Sequence, residues 1–220
     1  MNINFPKYIE NLNESDRNEW LKVKDISSEL RKHYQITGTR NPLIKKFHLF
    51  ADKQKPIFFN SWRVNSASNS FSLCLIEYQT SYQSVSTFGA STHTSNDKYF
   101  FGHLSIMKDF GHTLIRPETL GDKIAELFNP VEIDIKGYWK FSNKYYILSN
   151  EKEKFLGSLT GKFIKYLENL RKPEIEFYGH ECLFRLDKAI DLKQTIELCN
   201  IGINLDIILN ESVPGNPIQT

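Results

Sequence analysis

The sequence has few cysteines, no long apolar run and no excess of charge of one sign. Its 220 residues include three cysteines, Cys74, Cys182 and Cys199, and no CxxC pair. An odd and scattered set of thiols argues against a disulfide framework and against a four-cysteine zinc site. No window approaches the roughly 18 consecutive apolar residues of a membrane span, and the first residues lack the pattern of a signal peptide. These absences predict a cytoplasmic protein without a transmembrane segment.

The charge balance and the motif content exclude further classes. Lysine and arginine total 28 against 26 aspartate and glutamate residues, and no basic stripe is present, so we expect no nucleic-acid partner. The chain has no GxGxxG, GxxxxGK[ST], GxSxG or HExxH motif. Each of these would have indicated a nucleotide, a nucleophile elbow or a helical zinc site. The sequence therefore predicts no cofactor and no metal.

What is present is the pattern of an α+β protein. Periodic apolar residues between a capping asparagine and a turn-rich stretch predict a helix over 14–33. Alternating and aromatic-rich stretches then predict strands over 56–64, 70–82 and 97–108. The Ser/Thr-rich stretch 83–96 between the last two is predicted to be a mobile loop.

The C-terminal half indicates a strand–strand–helix order that occurs twice. After a short helix over 118–128, the first unit comprises strands at 131–135 and 144–149 and a helix over 151–170 capped by Asn150. The second comprises a strand pair within 174–187 and a helix over 191–209 capped by Asp191. We expect one antiparallel sheet with the helices packed on one face. The predicted organisation is an N-terminal helical segment (1–40), a single α+β domain (41–209) and a flexible tail (210–220).

The stretch IEFYGHECLF (175–184) places a histidine and a cysteine two residues apart, which suggests half a metal site or a nucleophile with its base. A hairpin with its turn at Gly179-His180 accounts for the same residues without a catalytic or metal-binding role. It puts Ile175, Phe177, Cys182 and Phe184 on one face, and it pairs Glu174 with Arg185 on the other. We therefore predict that Cys182 is a small buried hydrophobic residue and that His180 lies at an exposed turn.

Other candidate site residues lie between 78 and 118. His103 and His112 flank Asp109, and two histidines with a carboxylate are able to bind a metal, although their spacing matches no fixed motif. Arg116, before the predicted helix, is able to bind an anion at the helix N-terminus. We favour instead a solvated residue held extended by the following proline. Tyr78 and Tyr82 are predicted to be exposed and, with the loop 83–96, to form a contact surface.

Several short motifs resemble those of an uncharacterised family of bacterial hypothetical proteins, over roughly residues 43–187. The family has an LRPE element, a DIDF-like strand, a PEFS element and a YLL stretch. The corresponding residues here are Arg116, Pro117 and Glu118; Ile133 and Asp134; Phe141 and Ser142; and Tyr146 and Leu148. Trp139 stands near the family's proline, and the membrane-spanning segments that such proteins often carry ahead of this region are not found here. The resemblance implies a recurring bacterial module and favours a role other than catalysis.

Two functions follow as expectations. The first, which the lack of a catalytic constellation favours, is a non-enzymatic binding or scaffold module with a protein partner or a further copy of the chain, peripheral membrane association remaining open. The alternative is a hydrolase-like or metal-dependent enzyme that uses His103 or His112 with Asp109 or Glu118.

Overall fold

The structure is a computed structural model that describes residues 12–51, 56–86, 89–117, 131–133, 135, 137–171, 173–186 and 190–211. Nine strands occur in these parts of the chain: β1 (Gln35–Thr39), β2 (Phe58–Ser66), β3 (Asn69–Ser86), β4 (Gly89–Ser105), β5 (His112–Pro117), β6 (Val131–Glu132), β7 (Tyr145–Ser149), β8 (Glu174–Tyr178) and β9 (Glu181–Arg185). The helices are α1 (Glu14–His33), α2 (His48–Ala51), α3 (Trp139–Ser142), α4 (Lys152–Ser158), α5 (Gly161–Asn169) and α6 (Leu192–Asn210), and a 3-10 turn (Ile44–Lys46) precedes α2. Among these helices none is both long and apolar enough to cross a membrane.

The strands form one antiparallel sheet in the order β1-β2-β3-β4-β9-β8-β5-β7-β6. The α+β class is therefore confirmed. The expected strand–strand–helix order is also present, as β6-β7 followed by α4 and α5, and as β8-β9 followed by α6. The short α3 lies between β6 and β7. Strand β5 separates the two units in the sheet, because it pairs with β7 on one side and with β8 on the other.

Helix α1 confirms the prediction for 14–33. The side chain of Asn13 accepts a hydrogen bond from the amide of Asp16, which satisfies one of the free N–H groups at the helix start. Basic residues occupy its last turn, where their positive charges interact favourably with the negative end of the helix dipole. Its buried side chains recur at helical spacing and pack on the sheet: Trp20, Val23, Ile26 and Leu30.

The hairpin β8-β9 has the predicted register. Tyr178 pairs with Glu181, Phe177 with Cys182, and so on to Glu174 with Arg185. Gly179 has a φ of +59°, whereas His180 has no positive φ, as a turn with glycine at its first central position requires. Cys182 is fully buried, which confirms its predicted role in the core.

The two faces of the sheet have separate cores. Helices α1, α4, α5 and α6 cover the first face and enclose a large apolar cluster that includes Phe71, Ile115, Ile147, Phe177 and Phe184. The second face is covered by the segment 44–51, whose Phe47, Leu49 and Phe50 pack against a smaller cluster on β3, β4, β5, β7 and β9. The expectation that helices pack on one face thus holds for the four larger helices, and α2 lies on the other.

Several local predictions were wrong or fall outside the description. The stretch 151–170 forms two helices, because Leu159 is extended and Thr160 caps a new helix by accepting a hydrogen bond from the amide of Phe163. The first of these has Glu151, not Asn150, at its N-cap. The expected loop 83–96 is strand at 83–86 and 89–96. The expected helix 118–128 and the tail beyond 211 lie outside the described residues.

Burial of the thiols leads to a direct prediction. Burial raises the pKa of Cys74 and of Cys199 to about 12, and that of Cys182 well above its ordinary value. Because the thiolate is the reactive species, we expect the native protein to react only slowly with a disulfide reagent. The same protein in guanidinium chloride should release a signal for three thiols. Rapid reaction of one thiol under native conditions would show that its side chain is accessible.

Candidate metal centre

The segment 44–51 brings a histidine over the second face of the sheet. Phe47 and Phe50 anchor it, since both side chains are buried there. The ring of Phe47 lies edge-on to those of His103 and Tyr178, at centroid distances of 6.2 and 6.3 Å. Between the two anchoring phenylalanines, His48 points its amide and its ring toward β5 and β8.

Three side chains able to bind a metal converge at this point. They are His48 from α2, His112 at the start of β5 and Glu176 in the middle of β8, and their ligand atoms all lie within 4.8 Å of one another. The strand register explains the convergence. Glu176 pairs with Leu114, two positions beyond His112 on the same strand, so both side chains project from the second face.

Glu176 has no exposed surface, and backbone and side-chain donors surround its carboxylate. Its Oε1 accepts a hydrogen bond from the amide of His48 at 2.7 Å, and its Oε2 accepts one from the amide of Leu49 at 3.0 Å. Oε1 also lies 2.7 Å from Nε2 of His112. These hydrogen bonds therefore join the segment 44–51 to the sheet, and they fix the orientation of the carboxylate toward the two imidazoles.

The two imidazoles are in direct contact, with ring centroids 4.2 Å apart and an angle of 43° between the ring planes. Burial lowers the pKa of His48, and the nearby His112 lowers it further, against the opposing effect of Glu176. The neutral imidazole is the form that binds a metal through a ring nitrogen. Tyr178 lies edge-on to His112 at 5.0 Å and is 44% exposed, so the cluster borders on solvent.

A second polar group lies beside this cluster on the same face. Nε2 of His103 is 2.9 Å from Oε2 of Glu181, and the ammonium of Lys46 binds the other oxygen of that carboxylate. Burial lowers the pKa of His103, although the carboxylate opposes this effect. Burial raises the pKa of Glu181, but Lys46 and His103 outweigh it and bring the value below its usual range. His103, Glu181 and Lys46 thus bind one another, and the ion pair between Lys46 and Glu181 attaches the 3-10 turn to the sheet.

Comparison with protein-family models, with curated proteins and with solved structures finds no match.

The structure does not bring together the residues that the sequence suggested as one site. His103 is on β4 and His112 on β5, and β9 and β8 lie between them, which places their backbones about 14 Å apart or more. Asp109 lies elsewhere, where it accepts a hydrogen bond from the amide of Gly111 and pairs with Lys154. Glu118 is outside the described residues. Of the suggested set, only His112 belongs to the convergent cluster.

The predicted contact residues also need correction. Tyr78 was expected to be exposed, but it is 2% exposed because Phe50 stacks on it at 6.3 Å. The side chain of Tyr82 is outside the description, although its backbone belongs to β3. Arg116 was expected to be solvated, but it is buried on β5 with its guanidinium over the ring of Tyr146.

Sequence reasoning missed His48 and Glu176. No pattern around His48 indicates a site, because the stretch KKFHLF has neither helical nor strand periodicity over a useful length. The hairpin register predicts Glu176 on the same face as Glu174 and Arg185, and no local pattern indicates that another segment covers that face. The only available signal was that an acidic residue occupies the centre of a short strand flanked by apolar residues.

Proposed function

We propose that the chain binds a divalent transition-metal ion through His48, His112 and Glu176. The observation that carries the proposal is the convergence of two imidazoles and one buried carboxylate within 4.8 Å. Imidazole nitrogens and carboxylate oxygens at about 2.0–2.2 Å are the usual ligands of zinc in proteins. Ligands at that distance around one ion lie about 3–3.5 Å apart, so side-chain shifts of an ångström or so would complete the geometry.

The ligand set favours some metals over others. Calcium and magnesium prefer shells made of oxygen ligands, whereas imidazole suits zinc, iron, copper and nickel. Two imidazoles with one carboxylate therefore support zinc or ferrous iron rather than an alkaline-earth ion. A metal binds an imidazole through an unprotonated nitrogen, so the ring nitrogen of His112 that faces the ion must carry no proton.

Three protein ligands leave at least one coordination position for water. In zinc sites this arrangement is characteristic of catalytic rather than structural centres, because the ion lowers the pKa of its bound water toward neutrality. An ion held in this way would supply an activated water for hydrolysis of an acyl or phosphoryl substrate, in which the water oxygen bonds to carbon or phosphorus as the bond to the leaving group breaks. The proposal thus keeps the hydrolase-like alternative and changes its residues, with His48 and Glu176 in place of His103, Asp109 and Glu118.

The test is titration of chelator-treated full-length protein with Co²⁺ and Zn²⁺. We expect uptake of one equivalent, with a visible Co²⁺ absorption band that Zn²⁺ abolishes. His48→Ala should weaken affinity by more than the roughly 10–100-fold that is typical of residues beyond the ligand shell. His103→Ala is the matched control, because it removes an imidazole from the same face but not from the cluster.

Two results would count against the proposal. One is a native protein that takes up no Co²⁺ at stoichiometric concentration. The other is a loss of affinity in His103→Ala as large as that in His48→Ala. Circular dichroism of each variant, recorded before titration, separates a lost ligand from a lost fold.

A binding or scaffold role remains the second candidate, and the long β3-β4 hairpin supports it. The resemblance to a family of bacterial hypothetical proteins stays a prediction, and neither role depends on it.

A further inference from the structure

The hairpin β3-β4 extends far beyond the rest of the sheet. Its register runs without interruption from Ser72 opposite His103 to Ser86 opposite Gly89. Strand β2 pairs with β3 only as far as Glu77, and β9 pairs with β4 only from Gly102. Nine residue pairs, from Tyr78–Asp97 to Ser86–Gly89, therefore form a two-stranded ribbon with no third strand among the described residues. We call residues 78–86 and 89–97 the ribbon.

In the part of the chain that the structure describes, neither strand of the ribbon pairs with a third strand along its outer edge. At about 3.3 Å per residue, each edge is roughly 30 Å long. A two-stranded ribbon is marginally stable in water by itself, and an unpaired edge is a template for another strand. Natural sheets commonly protect such edges with lysine, other charges or proline. Residues 79–96 contain no lysine, arginine, aspartate, glutamate or proline.

The composition of the ribbon also restricts its partner. Nine of the 18 residues 79–96 are serine or threonine, which favours strand pairing through hydroxyl contacts across neighbouring strands. A charged edge would select a partner of opposite charge. Apart from His93, residues 79–96 carry no ionisable acid or base that would repel an identical edge, and Asp97 lies at the base of the ribbon. Antiparallel pairing about a two-fold axis brings the same edge of two chains together.

We infer that the ribbon of one chain pairs, edge to edge, with the ribbon of a second copy to form a four-stranded antiparallel sheet. This interface lies on the β3-β4 extension and does not involve His48, His112 or Glu176. Dimerisation and metal binding are therefore independent properties, and either is able to fail without the other.

The first experiment measures the mass of the full-length protein by light scattering over a wide concentration range. We expect a particle of twice the 25.7 kDa chain mass. A shortened variant, in which Asn-Gly replaces residues 80–95 and connects Gln79 to Asn96, keeps all pairs that β3 and β4 make with β2 and β9. It should be a monomer with an unchanged circular dichroism spectrum in the far ultraviolet apart from the lost strand signal.

The second experiment uses charge complementation. Gln83 and Thr92 are opposite each other in the ribbon, one on each strand. If the β3 edges meet in full antiparallel overlap of 78–86, the two copies of position 83 are diagonal neighbours. Gln83→Lys and Gln83→Glu should then each be monomeric, and an equimolar mixture should restore the dimer. Thr92→Lys and Thr92→Glu test the β4 edge in the same way, and the wild-type mass is the reference.

Three outcomes would overturn the inference. The first is a monomer at every concentration of the native protein. The second is a dimer that persists in the shortened variant. The third is a dimer that neither pair of charge variants disrupts, which would place the interface elsewhere on the chain.

Discussion

Replacing Lys98 with alanine should lower the free energy of unfolding by about 3–5 kcal/mol, the cost typical of breaking a buried ion pair. The ammonium of Lys98 lies 3.1 Å from Oε1 of Glu77 and 2.9 Å from Oε2 of Glu19. The side chains of Lys98 and Glu77 are both 0% exposed. Burial by itself lowers the pKa of Lys98, but the two carboxylates outweigh it and hold the pKa above its ordinary value. The alanine variant would leave the fully buried Glu77 carboxylate without its Lys98 partner.

Matched variants separate the charge effect from lost packing. Glu19→Gln removes a partner that is 44% exposed, so we expect a cost below about 1 kcal/mol. The double variant Lys98→Met/Glu77→Leu removes both buried charges together and should recover most of the stability lost in Lys98→Ala. Denaturant unfolding at neutral pH measures all three. If Lys98→Ala cost no more than Glu19→Gln, the ion pair would not be buried as described.

The second large effect is expected at Glu176. Glu176→Ala should lower the free energy of unfolding by about 3 kcal/mol, because unsatisfied buried donors cost about 1–3 kcal/mol each. The amides of His48 and Leu49 lose their acceptor, and so does the ring of His112. The segment 44–51 should therefore loosen from the sheet before the rest of the protein unfolds, which hydrogen exchange at Leu49 would detect.

Glu181→Ala is the control for this prediction. It removes a carboxylate from the neighbouring strand of the same face, where it binds Lys46 and His103. Its side chain is 30% exposed, and we expect a cost of about 1 kcal/mol or less. Equal destabilisation by the two variants would contradict the assignment of Glu176 as the main anchor of the segment.

The parts of the fold that were predictable from sequence are those stabilised by neighbouring residues. The asparagine cap and apolar stripe of α1 are local, and so are the turn glycine and alternation of β8-β9. The split between α4 and α5 was missed because the stripe through Phe155, Leu159 and Phe163 continues across the break. Thr160 caps α5 with its side chain, but the apolar periodicity across it predicts one continuous helix.

The candidate metal site depends on contacts that no local pattern encodes. The alternation of β8 puts Glu176 on the face opposite Phe177, but alternation does not reveal that another segment covers that face. The segment 44–51 covers it because Phe47 and Phe50 are buried there, more than 100 positions before the hairpin in the chain. Pairing of β5 with β8 then adds His112. Three separate stretches must meet before the ligands share one site, which explains why only His112 was a candidate.

The position of β5 between β7 and β8 has a consequence for how the chain folds. Ile115 of β5 pairs with both Ile147 and Ile175. Strand β5 therefore cannot complete its hydrogen bonds until β8, about sixty positions later in the sequence, has joined the sheet. Likewise, β4 pairs with β9 through residues that are far apart in the sequence, such as Gly102 and Phe184. Sheets closed by such distant pairings fold slowly, because the entropy of loop closure must be lost before the contacts form. A chain cut between β5 and β6 would leave β5 without either neighbour on one fragment and a gap between β7 and β8 on the other.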